Sequence, residues 1–221
     1  KEWIARLLPE TAAVHRSPLS HNSQLGVPMS LWSLDNHHDL SIVEAGISHP
    51  GEMSRLQHCI EPTEGVFTHL GEAHAGNFDS LSHLAQEKCS LFLNCSRVFM
   101  PHAFKDTCRP WLRAELVTWG FCDEPSHADA NLLVNLSLSD HVIELRWNGQ
   151  AAPTALPFRD VASVRNSMTA ALVALHHGAA LEDVSQRLSV LHSLTGRLST
   201  IQRAQGGVLI QDDCSHDLGS L

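Results

Sequence analysis

Two short apolar runs, each leading to a side chain able to hold a metal ion, and the amphipathic helix after them constrain this fold more than any other stretch. Leu40, Ser41, Ile42 and Val43 lead into Glu44, Ala45 and Gly46, while Gly65, Val66, Phe67 and Thr68 lead into residues 69–74, where His74 stands. Both runs are strand-like and bounded by glycine. A helix over residues 52–59 separates them, with Met53, Leu56 and Ile60 facing inward, so the stretch reads as a β-α-β unit. The expectation is two parallel strands paired in one sheet. Ligands of such sheets bind outside the carboxyl ends of the strands, where Glu44 and His74 arrive.

In the next helix Leu81, Leu84, Ala85, Leu91 and Phe92 share one face, and Lys88 stands at i+7 from Leu81 and i+4 from Leu84 on the same stripe. A lysine placed there is expected to be half-buried. One reading has its stem covering apolar surface while its head reaches water. The other follows from burial, which favours the neutral amine. A neutral amine reacts with carbon dioxide to give a carbamate, converting a cation into a metal-binding anion.

The chain has 221 residues, of which 43% are hydrophobic, enough to bury a full core in one large domain or a domain plus a fragment. Its net charge of −9 argues against a nucleic-acid partner, which usually meets a basic face. Anionic nucleotides would need a divalent metal beside such a surface. No apolar run approaches the roughly 20 residues of a membrane span, and the start at Lys1, Glu2 and Trp3 has no signal-peptide pattern. A cytoplasmic location with no membrane partner is expected. The six cysteines include no C-x-x-C pair and read as free core thiols. The neighbouring histidines 37 and 38, and 176 and 177, point in different directions and do not chelate together.

Residues 1–8 read as part of a helix, with Trp3, Ile4, Leu7 and Leu8 as its stripe, and residues 16–24 as a proline-marked loop before a short helix near residues 29–34. Residues 97–101 supply a strand, and residues 111–121 a helix-to-strand step. Residues 132–147 alternate like antiparallel strands laid beside the parallel sheet. Asp160 caps a helix over 161–177 that Gly178 ends, and a further amphipathic helix spans 181–191. Val208, Leu209, Ile210 and Gln211 form a strand ending at Asp212 and Asp213.

The fold class is α/β, three layers around a mostly parallel sheet. Glu44-Ala45-Gly46, residues 68–74 and Glu87-Lys88 together resemble, in order and spacing, the central ATP-binding domain of the Mur ligases. Residues 17–28 are similar to the branch that adds D-alanyl-D-alanine to UDP-N-acetylmuramoyl-tripeptide, in the form fused to an alanine racemase. The resemblance implies a P-loop-NTPase-like central domain over 1–193, then the opening of a Rossmann-like C-terminal domain over 194–221. It implies ATP and Mg2+ as cofactors, with the tripeptide nucleotide and D-alanyl-D-alanine as partners. Glu44, His74 and Lys88 (as carbamate) are then the metal and catalytic residues. Asn166, Arg197 and Asp212 contact ATP, and Asn22, Ser23 and Gln24 contact the nucleotide-sugar.

The sequence departs from the family at His69, where asparagine is usual, and at residues 213–216. In the family a Gly-Lys-Thr phosphate loop closely precedes the counterpart of Lys1 and Glu2, and no G-x-x-x-x-G-K-[ST] occurs in these 221 residues. Two function classes follow. The first is a portion of an ATP-dependent amide-bond ligase, inactive as these 221 residues alone. The second is a non-catalytic nucleotide- or protein-binding module that kept the fold.

Overall fold

The computed structural model describes residues 1–71, 77–137 and 142–192, together with the backbone of 199–202 and 208–211. A six-stranded sheet organises it. β3 (Glu64–Val66), β4 (Arg97–Pro101), β5 (Glu115–Phe121) and β6 (Leu132–Ser137) run parallel, and β7 (Val142–Trp147) and β8 (Gln150–Ala155) add antiparallel strands. The register Gly65↔Val98 and Val98↔Leu116 fixes which side chains face which layer. Along β4, Phe99 joins one core cluster, while Val98 and Met100 join the other, as the two-residue period of a strand requires.

On the Phe99 side lie α1 (Glu2–Leu7), α6 (Val161–His176) and α7 (Leu181–Ser189), packed over Val117, Trp119, Leu132, Val134 and Leu145. Asp160 caps α6 by accepting from the Ser163 N–H at 2.6 Å. Trp3 stacks on Phe158 with ring centroids 4.6 Å apart, which seats α1. On the opposite side, α4 (Leu81–Cys89) and α5 (Lys105–Cys108) enclose Cys89, Phe92, Cys95 and Cys108. Cys89, Cys95 and Cys108 are buried free thiols, as expected, whereas Cys59 and Cys122 are free but exposed, outside the core. The Cys95 thiol is pushed up to about 11, by burial first and by Glu64 second.

One expectation about the first strands requires correction. β2 (Leu40–Ile42) is not a hydrogen-bonded neighbour of β3. It pairs in parallel with β1 (Val14–Arg16), a strand the polar loop had masked in the sequence. The connecting helix α3 (Glu52–Ile60) buries Met53 and Leu56, as expected, with Val27 of α2 (Gly26–Leu31). Residues 39–47, which include β2, and residues 60–69, which include β3, instead line a cavity of about 610 Å³.

β7 and β8 join through Asn148 and Gly149, both at positive φ (50° and 79°), the backbone a tight hairpin demands. β9 (Ser199–Gln202) and β10 (Val208–Gln211) form a separate antiparallel pair.

Candidate active site

The cavity collects the chemistry that the sequence singled out. Glu44 lies past the end of β2, and Lys88 lies near the end of α4, and both line it with Lys1, Thr68, His69 and His177. Among the described residues no three histidine, cysteine, aspartate or glutamate side chains converge. His74, the expected third partner, lies outside the described residues, as do Arg197 and Asp212.

Glu44 is half-buried and held from three directions. Its backbone N–H donates to Ser17 Oγ at 3.2 Å, Asn22 Nδ2 donates to Oε1 at 3.0 Å, and Lys1 Nζ donates to Oε2 at 3.2 Å. Burial alone would push this carboxyl up. The Lys1 charge and the Asn22 amide outweigh it and hold Glu44 below the usual carboxylate range, so it stands ready as an anionic oxygen donor. That donor chemistry fits a hard divalent cation.

Lys88 is half-buried beside the fully covered Leu84 and Ala85, as its stripe position required, and Nζ donates to the His69 carbonyl at 3.2 Å. Leu81 is the exception on the stripe, being 50% exposed. Next to Lys88, Glu87 Oε1 accepts from the Met53 N–H at 3.1 Å, which ties α4 to the first turn of α3. As an ammonium Lys88 does not suit a cation site. As a carbamate it would add a second oxygen donor.

The loop residues divide. Asn22 joins Glu44, and its carbonyl accepts from the Gly46 N–H at 2.8 Å. Ser23 Oγ accepts from the Gly26 N–H, and Gln24 donates to the Glu52 carbonyl. The Ser23 contact is local, whereas the Gln24 contact ties the loop to the start of α3, 28 residues on. Asn166 is exposed on α6 and lies outside the cavity lining, which takes Val173 from α6 and His177 from just past its end.

Sequence reasoning missed Lys1 and Ser17 as partners of Glu44. Their separations of 43 and 27 residues leave no local pattern to read, although a charged residue at the start of a buried amphipathic helix was a weak signal.

Residues 1–174 match the Mur ligase middle domain. The chain belongs to the Mur ligase family. A Mur ligase relative from Escherichia coli K12, the UDP-N-acetylmuramoyl-tripeptide--D-alanyl-D-alanine ligase, is 25% identical over 228 residues, covering 100% of this chain and 50% of the relative. The Synechocystis ligase of the same name is 36% identical over 91 residues, 41% of this chain and 20% of its own. Among solved Mur ligases, MurF from Acinetobacter baumannii superposes with a TM-score of 0.78 at 22% identity over 96% of this chain and 47% of that one. MurF from Thermotoga maritima in complex with ADP gives 0.78 at 15% identity, covering 96% and 49%. The chain thus spans about half the length of the relatives that it matches end to end.

Proposed function

We propose that this chain is the central nucleotide-binding portion of an ATP-dependent ligase that adds D-alanyl-D-alanine to UDP-N-acetylmuramoyl-tripeptide. The observation that carries the reading is the end-to-end match to a relative of that activity, together with Glu44 and Lys88 lining one cavity. In the reaction the substrate carboxylate attacks the γ-phosphorus of ATP, forming an acyl phosphate and releasing ADP. The amine of D-alanyl-D-alanine then attacks the acyl carbon. Phosphate departs, a proton is lost, and an amide remains.

On this reading Glu44 and His74 hold magnesium, with Lys88 contributing as a carbamate. Magnesium supplies charge neutralisation at the phosphates and stabilises the transferring group. Asn22 orients Glu44 through its amide, and Asn22, Ser23 and Gln24 contact the nucleotide-sugar. Asn166 meets the adenine, and Arg197 and Asp212 meet the rest of the nucleotide. The full-length protein works in the cytoplasm and carries an alanine racemase on the same polypeptide, which its complete reading frame would test.

Lys88→Ala in the full-length protein should lower turnover by about 10²–10³-fold, the range for losing one group that stabilises transition-state charge. A short-chain carboxylic acid should restore part of it, and bicarbonate should not. Near-normal turnover of the variant would leave Lys88 as a lysine that merely covers apolar surface.

A further inference from the structure

We propose that Lys1 is a resident counter-ion of Glu44 that a free divalent cation has to displace, so that the site takes up metal poorly until an anionic ligand draws the lysine away. The inference rests on reading Glu44 as a metal ligand. The two oxygens of Glu44 have partners of different kinds. Oε1 accepts from the neutral amide of Asn22, while Oε2 accepts from the Lys1 ammonium at 3.2 Å. An amide donor and a metal ion can share a carboxylate. An ammonium and a metal ion at one oxygen repel each other at short range, where solvent screens least.

The ammonium is also fixed in place. Lys1 precedes α1, whose Trp3, Ile4 and Leu7 are buried, and its carbonyl accepts from the Ala5 N–H. Its side chain is only 10% exposed. Nζ also donates to the carbonyl of Leu19, which the loop presents from a left-handed backbone at φ 47°, and it lies 3.4 Å from Glu2 Oε1. Among the described residues Glu44, Glu2 and the Leu19 carbonyl approach the ammonium, and of these Glu44 lines the cavity. A phosphate group entering that cavity would offer Lys1 a further anionic partner and free Oε2.

The test is Mn2+ binding to the full-length protein without nucleotide, followed through the paramagnetic resonance signal of free Mn2+. Wild type, Lys1→Gln, Lys1→Arg and Glu44→Gln are compared at low ionic strength, with circular dichroism confirming the fold. Lys1→Gln should bind Mn2+ about tenfold more tightly than wild type, a shift well inside what one unscreened charge supplies. Lys1→Arg should stay near wild type, and Glu44→Gln should lose the site. Lys1→Met replaces Lys1→Gln if the latter disturbs folding. Equal or weaker binding by the neutral variants, with Glu44→Gln still losing the site, overturns the counter-ion role and leaves Glu44 a ligand. Unchanged binding in Glu44→Gln overturns the ligand reading itself, and no binding to Lys1→Gln overturns the proposal outright.

Discussion

At Gly65 on β3, an added Cβ would lie 2.3 Å from Cδ1 of Phe92, whose ring fills the core beneath the cavity. Neither the strand nor the buried ring can move without disturbing its neighbours. Gly65→Ala should therefore destabilise the protein by about 1–3 kcal/mol, the usual cost of overpacking, read from urea denaturation. A loss no larger than that of an exposed-site substitution would contradict the close approach. His102 offers a test by pH. Its ring bonds Thr118 Oγ1 at 3.0 Å and approaches Asp129 at 3.2 Å. Burial pushes the imidazole below its ordinary value; Asp129 pulls it back up, and Lys105 and His127 push it down. The unfolded chain thus takes the proton first, so stability present above about pH 6.5 is lost as pH falls toward the folded value. His102→Gln should lose less stability than wild type between about pH 7 and about pH 5, and an equal loss would remove His102 as a cause. Lys88 was legible in the sequence because helical spacing reports burial directly. The hydrogen bond of Asn22 to Glu44 was not legible, since a side-chain amide in a loop carries no signal of direction.

Among the elements, α6 shows how far a pattern reaches. The helical spacing of Val164, Met168, Leu172 and Leu175 predicts one buried face, yet every residue from Ser167 to Leu175 is buried. The sheet covers one side, and α1 and α7 cover others, so the amphipathic reading held only for the first turns. Leu172→Ala should cost about 2–5 kcal/mol by chemical denaturation, whereas Val161→Ala, at a 64% exposed position, should change stability by less than about 0.5 kcal/mol. Similar costs at the two sites would contradict the packing. β8 escaped the sequence reading for a physical reason. Asn148-Gly149 is a strong hairpin signal, but Gln150, Ala151, Ala152 and Pro153 are poor strand formers. Pro153 is tolerated because β8 is the last strand of the sheet. The pairing of β2 was misread because a helix between two strands shows only that they are connected, and it leaves their hydrogen-bond partners open.

For the whole molecule, the alternation of strands and helices gave an α/β architecture, and the superposition on solved Mur ligases agrees with it. No helix among the described residues is long and apolar enough to cross a membrane. With a net charge of −9, an anionic nucleotide would have to be met by local cations, and among the described residues Lys1 and Lys88 are placed at the cavity. The central claim, that these residues serve D-alanyl-D-alanine addition, is tested most directly on the full-length protein. Purified enzyme is mixed with UDP-N-acetylmuramoyl-tripeptide, ATP, magnesium and D-alanyl-D-alanine, and the pentapeptide product is followed by mass spectrometry. The account predicts product in step with ADP release, requiring all three substrates and falling about 10²–10³-fold in Glu44→Ala. ATP bound without any product formed, or full product formation by Glu44→Ala, would contradict it.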